Sequence, residues 1–206
     1  MISALIHCGR LARAGYVFAR EGVLGVLDPS PLPPGAQAVI KAARLPERPA
    51  RGGAKARLSA ALTRLGPTYV KLGQFLATRQ DVVGPALARD LESLQDRMAP
   101  FPQKEAEATV ARALERPLTA AYSAFGPAVA AASIAQVHRA EVIVAGEPHT
   151  VAVKVLRPGV ESRLRADIDS FYFAARGAEQ HSTEARRLRF VEVVDTLARS
   201  VAIEMD

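Results

Sequence analysis

Over residues 1–27 apolar residues recur at helical intervals, with Leu5, Ile6, Val17 and Phe18 able to share one face. The stretch DPSPLPPGAQ, residues 28–37, is proline-rich and reads as extended or looped, and residues 48–53 read as another loop. From 54 to 115 the pattern is helical again, broken at Gly66-Pro67, Gly84-Pro85 and Pro100-Phe101-Pro102. Each break sets a proline close to a helix start, where its missing N–H loses no bond. The pattern predicts helices over 67–80, 85–97 and 102–115, a shorter one before Gly66, and a further short one within 117–125. The texture changes at Gly126-Pro127. β-Branched runs there predict strands near 127–132, 134–144 and 149–156, with a turn at Ala145-Gly146-Glu147-Pro148. Pro158-Gly159 ends the sheet, and two long helical patterns follow, 160–180 and 184–204. Helices, a small antiparallel sheet, then helices again make an α+β chain, dividing into 1–126 and 127–206.

Composition narrows the function classes. Hydrophobic residues are 49% of the 206 and charged residues 23%, the profile of a chain that buries a core. The net charge of +6 fits an acidic partner, although the heavy use of Arg over Lys and the abundance of Ala produce the same excess without one. Tryptophan is absent, aromatics are 5%, and no helix-turn-helix, zinc or RRM pattern occurs, so nucleic acid is not an expected partner. The single cysteine, Cys8, excludes an internal disulfide and fits a reducing compartment. His7, His138, His149 and His181 lack metal-ligand spacing, so no metal site is expected, and no G-x-S-x-G elbow supports a hydrolase. No stretch reaches the roughly 20 apolar residues of a membrane span. The first 20 residues carry Arg10, Arg13 and Arg20 with no acid. That fits a basic amphipathic helix on an anionic membrane, or a mitochondrial presequence poor in hydroxyls. An ordinary first helix packed on its own domain is the preferred reading.

Two short stretches carry the chemistry. Ala130-Ala131-Ala132-Ser133-Ile134-Ala135-Gln136-Val137 matches the phosphate-loop pattern G-x-G-x-x-G-x-V with Ala130, Ala132 and Ala135 at the glycine positions and Val137 at the last. Val151-Ala152-Val153-Lys154 matches the strand that brings a lysine to nucleotide phosphates. Phosphates need closely approaching backbone N–H groups, hence small side chains over them. Alanine restricts φ > 0, so this loop is expected to be stiffer than a glycine loop. Lys154 supplies a point charge, with Val151, Val153 and Val155 facing the other way. Alone, an alanine run is a packing surface and Lys154 an ordinary solvated lysine; their order and spacing give the pair its weight.

Upstream stands Lys71-Leu72-Gly73-Gln74 within LGPTYVKLGQFLATRQDVVGPAL. Lys71 and Gln74 share a helical face, and Gly73 leaves room for a neighbouring backbone or a ligand. With LESLQDRMAPFP, AAASIAQVHRAEV, VAVKVLRPGV and the closing Glu204-Met205-Asp206, this K-x-G-Q stretch resembles the UbiB family, the aarF-domain (ADCK) atypical kinases of ubiquinone biosynthesis. The resemblance runs over nearly the whole chain and is strongest from Gly66 onward. It implies a protein-kinase-like N-lobe at 127–206, preceded by a helical K-x-G-Q extension, with the C-lobe absent from this chain. ATP is the implied cofactor, with Mg²⁺ in a full-length protein. Ala130 to Val137 and Lys154 are the implied ATP-binding residues. Lys71, Gly73, Gln74, Glu204 and Asp206 are the implied regulatory K-x-G-Q/E-x-D set, the Lys71 helix lying over the active site and its lysine pairing with Glu204. Glu204 and Asp206 stand about 200° apart around a helix, so Glu204 is the preferred partner.

No catalytic-loop Asp or D-F-G occurs, and His138-Arg139-Ala140 is not H-R-D, so no catalytic residue is expected within these 206 residues. The family reading implies a cytoplasmic protein at the inner-membrane periphery, with mitochondria as the alternative. Its implied partners are nucleotide, an anionic membrane surface and other ubiquinone-biosynthesis proteins. The competing reading is a non-catalytic helical module that binds a partner protein or an anionic membrane.

Overall fold

The structure is a computed structural model, and it describes residues 2–23, 54–92, 94 and 98–205. The proline-rich segment at 28–37, the loop at 48–53 and Asp206 lie outside the described residues. In chain order the elements are α1 (Ile2–Arg20), α2 (Ala54–Leu65), α3 (Pro67–Ala77), α4 (Gln80–Val83), α5 (Pro85–Glu92), α6 (Gln103–Ala113), α7 (Leu118–Ala121), β1 (Ala124–Ala131), β2 (Ala135–Val144), β3 (Glu147–Leu156), α8 (Val160–His181), α9 (Thr183–Leu188) and α10 (Phe190–Met205). They gather into two compact units. One takes the helices up to residue 95 and again from 163 to 204; the other holds residues 96–162. This helix-rich chain with a small antiparallel sheet is the α+β class expected.

The helical unit buries Leu62, Leu65, Val70, Leu91, Leu164, Leu197 and Val201. Its helices stop where glycine and proline direct. Gly66 sits at φ +108°, and Pro67 occupies the first turn of α3. A Cβ on Gly66 would lie 2.8 Å from Arg163 Nη2, whose guanidinium donates to the Leu65 carbonyl at 2.8 Å and so caps the end of α2. Arg163 reaches that carbonyl from α8.

Three helices meet at one carboxylate. Asp167 on α8 accepts from Arg10 Nη1 of α1 at 2.8 Å and from the buried Thr68 Oγ1 of α3 at 2.7 Å. His7 Nδ1 lies 3.1 Å from Ser170 Oγ, and its ring stacks on Phe173. Ser170 gives its own proton to the Ala166 carbonyl, so it accepts from His7. Tyr69 packs edge-on against Phe171; burial, reinforced by the Asp167 charge, pushes its phenol up to about 12.

These contacts correct the expected face of α1. Ala14 and Val17 turn inward, on the side of His7 and Arg10, but Leu5 is 71% and Ile6 54% exposed. Leu5 stands about 120° from Val17 around the helix, so the inward stripe leaves it outside. The expected continuous helix over 184–204 is also interrupted. Arg189 adopts a left-handed conformation, φ +53°, and separates α9 from α10. Arginine is not an ordinary left-handed cap, so the break carries no sequence signal.

The sheet unit is a three-stranded antiparallel meander, β1-β2-β3. Its inner face sets Val153 and Val155 against Ala106 and Val110 of α6, with Phe101, Leu118, Tyr122 and Phe125 around them. The predicted helix within 117–125 shrinks to α7, because Ala124 and Phe125 already pair with Glu141 and Ala140 of β2. Register shifts then fall between Phe125 and Ala128 and between Ala128 and Ala130, spanning Gly126-Pro127. Those bulges hide the strand's first residues from any test of alternation. β2 and β3 join through Ala145-Gly146 alone, both at positive φ, as a tight two-residue hairpin requires.

Candidate functional site

Alternation decides what each strand presents. Gln136, His138 and Ala140 of β2 point to the buried face with Val153 and Val155, so Val137 and Lys154 take the other. Lys154 pairs directly with Val137, and Val137 pairs on its far side with Ala130. Ala130, Val137 and Lys154 thus form one row across the open face, with the lysine two strand spacings, about 10 Å, from Ala130. Ala130 and Lys154 are exposed and Val137 is half-buried. The stretch 130–135 is the end of β1, a short turn and the start of β2, not a helix. No residue in it takes a positive φ, so Ala130, Ala132 and Ala135 stand at the glycine positions of the pattern without strain.

The turn itself is closed. Ala132 N–H donates to the Ala135 carbonyl at 2.8 Å, and Ser133 and Ile134 are buried to within 1%. Not every residue of the Ala130–Val137 stretch reaches the lysine's face. Gln136 is turned inward and 1% exposed. Its Oε1 accepts from Phe101 N–H at 2.9 Å, and its Nε2 lies 2.9 Å from His138 Nε2. His138 Nδ1 reaches the Gly126 carbonyl at 2.9 Å. A carbonyl only accepts, so the proton sits on Nδ1 and Nε2 accepts from Gln136. The chain Phe101–Gln136–His138–Gly126 is therefore satisfied as a neutral relay.

Arg157, which follows β3, also belongs to this hairpin. Its Nε and Nη2 donate to the Ala132 carbonyl at 3.0 and 2.9 Å, and Nη2 also donates to the Ala99 carbonyl at 2.9 Å. Its backbone N–H binds the Ile134 carbonyl at 2.8 Å, and its guanidinium lies over the Phe101 ring. The sequence signal is faint, an arginine before Pro158-Gly159 at the end of a strand.

In the helical unit, Lys71 Nζ of α3 lies 2.6 Å from Glu204 Oε1 of α10, the lysine side chain 13% and the glutamate 35% exposed. Glu204 thus meets Lys71, while Asp206 lies outside the described residues. Gln74 is half-buried on the same helix. Gly73 does not open that face to a backbone or ligand. A Cβ there would lie 2.7 Å from Leu62 Cδ1, 3.0 Å from Leu94 Cδ2 and 3.4 Å from Leu91 Cδ2. The glycine lets α3 sit close against buried leucines, a requirement set by tertiary packing and invisible in K-x-G-Q.

Among the described residues no group of three or more His, Cys, Asp or Glu is placed to hold a metal, and no helix is long and apolar enough to cross a membrane. Comparison with known proteins places these features. Residues 93–206 match the model of the ABC1 atypical kinase-like domain. A protein of Marinobacter nauticus described as "Probable protein kinase UbiB" is 40% identical over 151 residues, 73% of this chain and 27% of its own. One of the same description from Azotobacter vinelandii is 39% identical over 163 residues, 79% of this chain and 30% of its own. One from Xanthomonas campestris pv. campestris is 37% identical over 205 residues, 96% of this chain and 36% of its own. The chain thus spans about a third of the length of these relatives. No solved structure matches. Helices carrying K-x-G-Q, an alanine-rich hairpin and a strand lysine, read together with these matches, make the chain a member of the UbiB-type ABC1 atypical kinase-like family.

Proposed function

We propose that this chain forms the ATP-binding front part of a UbiB-type atypical kinase or ATPase that supports ubiquinone biosynthesis. The observation that carries the reading is the row Ala130, Val137 and Lys154 on the open face of the sheet. There the lysine ammonium meets phosphate oxygens as a point charge, and the alanine methyls of the hairpin leave room above them. Val137 supplies apolar cover for the nucleotide. Gln136 and Ile134 act from behind, shaping the hairpin without touching the ligand. Mg²⁺ would neutralise phosphate charge, and its ligands are not proposed among the described residues. No catalytic step is assigned to this chain.

Lys71 and Glu204 form a latch that restrains α3 relative to α10. In this reading the latch regulates access to the nucleotide, and Asp206 belongs with it by family resemblance. Titration of the purified chain with a fluorescent ATP analogue tests the proposal. Binding should weaken about tenfold or more in Lys154→Ala, as expected when a charged phosphate contact is lost. Equal affinity in both proteins would remove the assignment.

The partner reading draws on α1. Its outward side shows Leu5, Ile6 and Tyr16, 71%, 54% and 56% exposed, beside Arg13, and the helix has no carboxylate. Such a face suits an anionic membrane surface. Sedimentation with phosphatidylglycerol vesicles should be salt-sensitive and drop in Leu5→Glu. Binding that ignores both salt and the substitution would count against it.

A further inference from the structure

We infer that Arg157 is a positioning residue that locks the alanine-rich turn as a preformed cover, so that the turn does not open and close over its ligand. The inference rests on the nucleotide reading of that turn and adds to it the element that sets its geometry.

A hairpin tip with three residues outside its two strands ordinarily moves, because few contacts order it. This one is held from three directions. Arg157 grips the Ala132 carbonyl with two guanidinium nitrogens and, with one of the same nitrogens, the Ala99 carbonyl. Its backbone N–H fixes the Ile134 carbonyl, on the other side of Ser133. The guanidinium carbon lies over the Phe101 ring, 5.7 Å from its centroid, and the Phe101 N–H is bound by Gln136, the second residue of β2. Met98 N–H reaches the Ala131 carbonyl at 3.4 Å, so the segment 98–101 runs beside the turn and is stitched to it.

One fork-shaped cation therefore joins the incoming segment, the turn and the exit of β3. A lysine has the charge but not the planar fork, and cannot satisfy two carbonyls and the ring together. The backbone conformation fits a fixed cover, since every residue from 130 to 135 keeps negative φ and the alanines contribute no glycine-like freedom. A turn locked in this way orders its N–H groups before the ligand arrives, which favours the phosphate end of a nucleotide over the rest of it.

The test uses the 206-residue chain with Arg157→Lys and Arg157→Ala. Hydrogen exchange without nucleotide reads the lock directly. Amides of residues 130–135 should exchange about tenfold faster in Arg157→Ala and by an intermediate factor in Arg157→Lys, while amides of α6 and α8 keep wild-type rates. Unchanged exchange at 130–135 in both variants overturns the inference. Arg157→Lys retains charge and bulk, so it supplies the reading should the alanine variant fold poorly. Fluorescent ATP and AMP analogues read the consequence. The ratio of ATP to AMP affinity should fall about five- to tenfold, a change that general destabilisation, acting on both alike, does not produce. A constant ratio also overturns it. If the wild-type chain binds neither analogue, the nucleotide reading fails, while the exchange experiment still decides whether Arg157 locks the turn.

Discussion

The two compact units handle buried polarity in opposite ways. The helical unit gathers charge. Asp167 joins Arg10 and Thr68, partners 157 and 99 residues away in sequence. The sheet unit gathers neutral groups at shorter range. Gln136 and His138 link Phe101 and Gly126, 35 and 12 residues away. Helices satisfy their own backbones, so assembling several of them needs side chains that fix which turn faces which, and a shared carboxylate does that with direction. A short sheet with an irregular edge strand leaves backbone groups over, and neutral amide and imidazole groups satisfy them without bringing charge into the interior.

The contrast can be broken from either side. Asp167→Ala should have the largest effect, destabilising the chain by about 3 kcal/mol in chemical denaturation, because it strands the buried Thr68 hydroxyl and releases Arg10. Asp167→Asn, which keeps the shape and one acceptor, should lose clearly less. Wild-type stability in Asp167→Asn would mean that the charge has no special part in the helical unit. Gln136→Ala should lose about 2 kcal/mol by leaving Phe101 N–H and His138 without their partner. Wild-type stability in that variant would mean the relay is dispensable and the sheet unit rests on its apolar layer alone. Gly73→Ala should have the smallest effect. Crowding against Leu62 and Leu94 costs about 2 kcal/mol, helix propensity returns about 1, and the net loss is about 1 kcal/mol. Gly177→Ala on α8, whose Cβ would meet nothing within 4 Å, should instead stabilise by up to about 1 kcal/mol. The same sign for both glycines in thermal melts would refute the packing account of Gly73.

Most helix limits were legible, because proline and glycine stop helices by local sterics that any chain obeys. Pro67, Pro85, Pro102 and Pro117 each stand at or one residue before a helix start. The strand lysine and its alternation were legible for the same reason, period two being a backbone property. The start of β1 was hidden by bulges, and the interruption at Arg189 by a residue that seldom takes φ > 0. Legibility ended where three-dimensional neighbours decide the role. Gly73 reads as an opening until Leu62 and Leu94 are seen against it. Leu5 and Val17 read as one face until His7, Arg10 and Ala14 define which way α1 turns. Arg157 reads as a surface cation until three carbonyls are found around it.

The sheet has two margins, β1 and β3, and each carries a proline: Pro127 in the irregular stretch of β1, and Pro148 near the start of β3. A foreign strand laid along β1 would meet a ladder that changes phase twice and, at Pro127, a position with no hydrogen to donate. The bulges that blur this strand in the sequence thereby also serve as a guard, making the small sheet a poor template for recruitment by neighbouring molecules in a crowded cell.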